Sequence, residues 1–214
     1  MLKNNKLNKN IAPLILAGGG GHCRSCIDVI ETSGLYDIKG IVQPTNSKNN
    51  YETILGYNII GTDKDFPELI KNYQNVLITV GQIKNPDARI HLYEMLKGLN
   101  VNFPLVTSPF ANISIHSKID EGSIIMHGAI INAGSKIGKN CIINSLALIE
   151  HDVVIGNHCH ISTGVIINGN VKIQDGSFIG SGSILREGII VGRNVVIGAG
   201  QLILKDIPDN SIIK

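Results

Sequence analysis

An aliphatic residue returns every sixth position from Ile113 to Ile203, with no insertion anywhere along the run. The first places read Ile113, Ile119, Ile125, Ile131, Ile137, Ile143, Ile149 and Ile155, then Ile161, Ile167, Ile173, Ile179, Leu185, Val191, Ile197 and Ile203. These make sixteen consecutive hexads over residues 113–208, a window in which 35 of 96 residues are Ile, Leu or Val. At that density chance fills all sixteen first places with a probability on the order of 10⁻⁷, so the period is a property of the fold. Four places after each aliphatic stands a mostly small residue, such as Ser123, Ala129, Cys141, Ala147 or Cys159. The place before it is often Gly, Asn or Asp, types that tolerate the backbone angles of a corner. Each hexad therefore reads as a short strand and a turn, with the aliphatic and the small residue pointing inward. Three hexads close a coil of 18 residues, and coils stacked at about 4.8 Å build a parallel β-helix just over five coils and roughly 25 Å tall. Cys141 and Cys159, one coil apart in the inward small position, are expected to be buried packing thiols.

Residues 11–107 lack this period and are expected to form a separate α/β domain, followed by the β-helix over 108–214. Pro13–Ala17, Ile38–Val42 and Val76–Val80 read as strands, and 23–32, 66–72 and 86–98 as helices, an alternation that implies a small parallel sheet. Ser108-Pro109-Phe110 marks the passage between the halves. After the first strand comes Gly18-Gly19-Gly20-Gly21-His22, a turn that puts bare amides at a helix N-terminus, where phosphate binds readily. A dinucleotide fingerprint is incomplete, because position 23 is Cys and the second strand ends in Gln43 where an acidic residue would grip a ribose. Binding of a nucleotide diphosphate group is favoured over NAD, with a purely structural glycine turn as the competing reading. Cys23 and Cys26 lack a second pair and are read as helix-start packing.

Composition narrows the classes further. Charged residues are 17% and hydrophobic residues 43%, which excludes a disordered chain, and a net charge of +2 gives no reason to invoke nucleic acid. No apolar stretch is long enough to span a membrane, and Met1–Asn10 has no apolar signal-peptide centre. Four cysteines without framework spacing fit reduced thiols. A soluble, cytoplasmic, β-rich protein is expected.

The chemistry concentrates between Asn144 and His160. His151 occupies an outward place between Glu150 and Asp152, and a carboxylate beside an imidazole can orient its tautomer and raise its basicity. Asn144 and His160, seven residues before and nine after, fall on outward positions of successive faces. Gly169 lies one coil above His151 and is expected to leave bare backbone for a ligand. His158-x-His160 lacks a third ligand, so no metal is expected. His116 and His127 read as surface residues.

The glycine turn with its His, the α/β half, and Asn144…Glu150-His151-Asp152…His158-Cys159-His160-Ile161-Ser162 inside an unbroken hexad repeat together resemble the NeuD/PglD-type sugar acyltransferases. This group comprises sialic-acid O-acetyltransferases and N-acetyltransferases of nucleotide-linked 4-amino sugars. The resemblance spans about residues 12–210. It implies a Rossmann-like α/β domain followed by a left-handed β-helix, assembled as a homotrimer with active sites between subunits. It further implies acetyl-CoA as co-substrate, direct transfer in bacterial surface-glycan biosynthesis, and His151 as general base. Asp152, rather than Glu150, would be the orienting partner. Asn144 would place the substrate. His160 would lie on the cofactor side, near the acyl carbonyl, and could supply an oxyanion donor. Gly19, Gly20, Gly21 and His22 would hold the nucleotide part of a UDP-type sugar donor, and Gly169, Ser181 and Gly182 would line the acetyl-CoA groove. The family's usual tail after Asp206-Ile207-Pro208 is replaced by a chain that stops at Lys214, so the last coil is expected to be capped differently.

The leading expectation is N-acetylation of a nucleotide-linked 4-amino sugar, with O-acetylation of a sialic or related nonulosonic acid as the alternative. A non-catalytic β-solenoid would favour regular Thr ladders, whereas the outward positions here are mixed with few Thr. A nicotinamide enzyme is disfavoured by Gln43 and Cys23.

Overall fold

A computed structural model describes residues 11–46 and 52–214. Met1–Asn10, read above as lacking a signal-peptide centre, lies outside the described residues. The first half is a sheet with helices: β1 (Ala12–Ala17), α1 (Gly21–Ser33), β2 (Tyr36–Gln43), β3 (Thr53–Ile54), β4 (Tyr57–Thr62), α2 (Phe66–Leu69), β5 (Val76–Ile78) and α3 (Asp87–Gly98). Strand order is β3-β4-β2-β1-β5, parallel throughout except for the β3–β4 hairpin. Sequence reasoning misses β3 and β4, whose short segments of mixed polarity give no clean alternation. It also draws α2 too long, since a 3₁₀ turn at Asp63–Asp65 leads into a single helical turn. The third expected strand ends early, at Ile78, where Thr79 turns its hydroxyl onto the carbonyl of Gly18.

Gly18 makes that close approach possible. Its φ is +121°, and a Cβ there would sit 2.6 Å from the Val80 side chain, so only glycine lets the β1 turn pass the end of β5. α1 then starts from Gly20 without a side-chain cap and ends at Gly34 in the left-handed region, whose amide closes onto Ile30 and Glu31. Cys23, Cys26, Ile27, Val29 and Ile30 line its buried stripe. Burial pushes the Cys23 thiol up to about 11 and that of Cys26 higher still, which fits packing and opposes nucleophilic use.

From Val106 to Ile213 two-residue strands stack into three parallel sheets of six, five and seven strands. The register is 18 residues: Ile124 pairs with Ile142 and then His160, Ile130 with Leu148 and then Ile166, and Lys136 with Val154 and then Lys172. This is the parallel β-helix that the hexads imply, and it is left-handed as the resemblance implies. The first-place aliphatics and the small residues four places on form one continuous buried core, with Cys141 and Cys159 stacked inside it. From Gly122 to Gly200 the place before each small residue takes positive φ, by glycine at most corners and otherwise at Asn140, Leu146, Asp152, His158, Asn170 and Asn194. Val106–Thr107 already pairs with Ile124–Ile125, so strand pairing begins ahead of the first hexad. At the far end the spacing shortens. Ile207 bridges to Val191 and Ile212 pairs with Val196, offsets of 16, while Asp206 and Asp209 accept the amides of Ile190 and Arg193.

The two halves share a core. The buried stripe of α1 packs in one cluster with Ile124, Met126 and Ile142, outward residues of the seven-stranded face. Polar clamps flank it: Tyr93 donates to Glu121 at 2.9 Å, and His127 joins Ser108 at 2.6 Å and Asp28 at 2.9 Å. His116 is exposed as expected, but His127 is a bridge between the halves rather than a surface residue. A hexad reading cannot foresee a partner 99 residues away.

Candidate active site

The expected site residues fall into two groups on the prism. His160 stands outward on the seven-stranded face, and Asn144 lies where that face turns into the six-stranded one, beneath the α/β half. His151 and Asp152 lie at the next corner, between the six- and five-stranded faces. One face separates the groups, less than about 20 Å for a hexad at roughly 3.3 Å per residue.

At the first corner a cavity of about 490 Å³ is lined by Gly21, His22, Ser25, Gly81, Gln82, Ile83, Asn144 and His160. α1 delivers its N-terminus there with no acidic residue in its first turn, and nothing stands within 4 Å of where side chains at Gly20 and Gly21 would point. Gly19 differs from these two. A Cβ at that position would lie 2.9 Å from the Gln43 side chain, so its glycine serves the packing of the turn against β2.

His160 donates from Nδ1 to the carbonyl of Gln82 at 2.6 Å, which leaves Nε2 as an acceptor, 3.3 Å from the amide nitrogen of Asn144. The expectation of an open His160 able to donate to an oxyanion is therefore corrected. The ring is buried beneath the Gln82 segment and against Phe178, and its one neutral-ring N–H is already used. Burial lowers its pKa to about 4, and burial assisted by Arg89 lowers that of His22 to about 3, so both rings stay neutral through the physiological range. The Nε2 of His22 is enclosed and has no partner among the described residues. Two coils up the same edge, Ser181 bonds Ser162 at 2.8 Å, and open space surrounds Gly182.

At the second corner His151 points Nδ1 at Asp152, 3.0 Å away, with both side chains about two-thirds exposed. With Nδ1–H held by the carboxylate, Nε2 carries the free lone pair, the arrangement a general base needs. Glu150 is turned elsewhere, accepting from Asn132 at 3.0 Å, so Asp152 is the carboxylate in contact with the ring. A shallow groove of about 410 Å³ runs from Glu150 and His151 over Asn168 and Gly169 to Glu187 and Gly188. Gly169 does not leave its backbone open to a ligand as expected, for a Cβ there would lie 2.7 Å from Cε1 and Nε2 of His151. Its missing side chain is the seat of the imidazole.

His158 stands at the third corner, half-buried, accepting from Asn140 at 3.0 Å and edge-on to Tyr93. Among the described residues no group of three His, Cys, Asp or Glu is placed to hold a metal ion. Three features around the site escape sequence reasoning. Gln82 and Arg89 act through contacts 51 to 94 residues apart and carry no local signal. The third, on the outward strand positions, does carry one when these are sorted by 18. Ile130, Leu148, Ile166, Ile184 and Leu202 form an apolar column on the six-stranded face, between the two corners.

Residues 13–96 match the PglD N-terminal domain, and residues 134–169 and 170–200 match the bacterial transferase hexapeptide (six repeats). The chain is a hexapeptide-repeat acyltransferase with a PglD-type N-terminal domain. No curated protein matches the sequence significantly. Among solved structures, this transferase is similar to PerB from Caulobacter crescentus in complex with CoA and GDP-perosamine: 26% identity over 94% of this chain and 93% of that one, with a TM-score of 0.85. It is also similar to the acetyltransferase domain of PglB from Neisseria gonorrhoeae in complex with acetyl coenzyme A, at 29% identity, 94% coverage of both chains and a TM-score of 0.81. WeeI from Acinetobacter baumannii shares the fold at 23% identity, 94% and 95% coverage and a TM-score of 0.83. Among the described residues, no helix of the transferase is long and apolar enough to cross a membrane.

Proposed function

We propose that this chain is an acetyl-CoA-dependent N-acetyltransferase that acts on the 4-amino group of a nucleoside-diphosphate-linked sugar, UDP-linked in our reading. The observation that carries the reading is the His151–Asp152 pair beside a groove, on a chain whose second site is a bare helix N-terminus with neutral histidines. The likeness to PerB with CoA and GDP-perosamine, and to PglB with acetyl coenzyme A, supports the same chemistry. His151 removes the proton as the amine attacks the thioester carbonyl, and Asp152 stabilises the imidazolium that forms. CoA leaves as a thiolate that takes up the proton from His151, so no acyl-enzyme is needed. The amides of α1 and the glycine turn through Gly19–Gly21 meet the diphosphate, with His22 beside them. Ser181 and Gly182, along the edge above Asn144 and His160, are the CoA side of the groove.

A trimer accounts for the separation of the two corners. Three prisms that turn their apolar six-stranded faces to a common axis bring the Asn144 corner of one protomer against the His151 corner of the next. Ile130 and Ile184 are 39% and 38% exposed, and Leu146, exposed at a left-handed corner beside Asn144, gains cover there. Ile184→Glu is expected to give a folded monomer by light scattering, with turnover lost; a trimer that survives the charge would remove this packing.

Mass spectrometry of the purified protein with acetyl-CoA and a panel of UDP- and GDP-linked 4-amino sugars tests the function. The expected result is one product heavier by about 42 Da, the acetyl increment that a defined acceptor site requires. Acetylation of a free nonulosonic acid with none on any nucleotide sugar would instead make the enzyme an O-acetyltransferase.

A further inference from the structure

Arg89, on α3, is fully buried, and among the described residues no carboxylate partners it. One guanidinium nitrogen donates to the carbonyls of Ile78 and Val80 at the end of β5. The other donates to the main-chain and side-chain oxygens of Asn140 on the β-helix, at 2.9 and 2.6 Å. A planar fork of this kind meets four acceptors in two directions, which a lysine ammonium on a flexible stem does not reproduce. Two residues beyond Val80, Gln82 closes a second clamp: its side-chain amide donates to Gly176 at 3.1 Å, and its carbonyl accepts Nδ1–H of His160. The Val80–Gln82 segment is therefore held to the β-helix from both ends. Its carbonyl decides which nitrogen of His160 faces the cavity.

We propose that Arg89 is a positioning residue for the transferase site: by fastening the Val80–Gln82 segment to the Asn140 corner, it fixes His160 as a single Nδ1–H tautomer whose Nε2 is an acceptor toward Asn144 and the bound substrates. The inference rests on the functional reading above for what His160 faces, but the tautomer itself requires no substrate. An acceptor at this point selects a donor group on the ligand and refuses a second carbonyl. A ring free to exchange its proton would present a donor part of the time, with loss of orientation.

Imidazole ¹⁵N spectra, with His160 assigned by its disappearance in His160→Gln, test this without any turnover. In the unaltered protein, His160 is expected to be neutral from about pH 5 to 8, its pKa being held near 4, and to show Nδ1–H alone because the Gln82 carbonyl accepts that proton. In Arg89→Met and Arg89→Lys the spectrum is expected to show both tautomers, and kcat for acetyl transfer to fall about tenfold or more with a smaller change in KM for acetyl-CoA. A single Nδ1–H tautomer in a folded Arg89 variant that has only a lower melting temperature would overturn the proposal. So would Nε2–H or an imidazolium in the unaltered protein at about pH 6, a result readable even if neither variant folds. If no sugar is acetylated by the unaltered protein, the functional reading fails while the spectra still decide the role of Arg89.

Discussion

Replacing His151 by Ala is expected to lower turnover by about 10²–10⁴, the usual range for a general base, and to leave the melting transition where it was. The side chain is exposed and its loss empties only the seat over Gly169, so the β-helix keeps its ladders. Full activity in this variant would dismiss His151 as the base. The same variant tests the proposed trimer, in which the site lies between protomers. A second inactive chain, carrying Asn144→Ala and His160→Gln, retains His151. When the two are unfolded together and reassembled at equal amounts, random mixing makes roughly three-quarters of all trimers hybrid. Each hybrid ring contains one junction where an intact His151 corner meets an intact Asn144–His160 corner, so about one quarter of normal activity returns. Were both corners needed from one chain, mixing would restore nothing. Turnover measured against mixing ratio distinguishes the two outcomes directly.

Acid destabilisation is the second large effect. His22 and His160 titrate near 6.5 when unfolded, and at about 3 and about 4 when folded. Between those values the unfolded chain binds the extra protons, so stability rises with pH across that window. The contribution is complete above the unfolded value and declines as the pH falls toward the folded ones. At about pH 5 each ring costs on the order of 2 kcal/mol relative to neutrality. Urea midpoints measured from about pH 7 to about pH 4.5 should therefore fall steeply in the unaltered protein and less steeply in His22→Gln or His160→Gln. Parallel curves for all three would mean that neither ring is buried neutral.

The β-helix is legible in the sequence because its period is set by local geometry: an inward aliphatic must recur at six, and the coil must close at 18 whatever lies outside it. The contact of Asp152 with His151 is legible for the same reason, since neighbours in sequence at a tight corner are neighbours in space. The state of His160 is not, because it depends on the carbonyl of Gln82, 78 residues earlier, and on how α3 docks. Gly169 stands out as a special position, yet for a reason set by packing between coils: its neighbour one coil below leans over it. The short β3–β4 hairpin is lost because strands toward the edge of a small sheet need little apolar alternation to form.

The 18-residue register limits how such a chain can change length. Adding or removing one hexad would carry every outward residue beyond it round by a face: the apolar column would land where lysines now stand, and the seat for the imidazole would pass to another edge. Only whole turns of the solenoid preserve those alignments, so height can grow in this lineage by triplets of hexads while anything smaller dismantles the contact surface and the chemistry together.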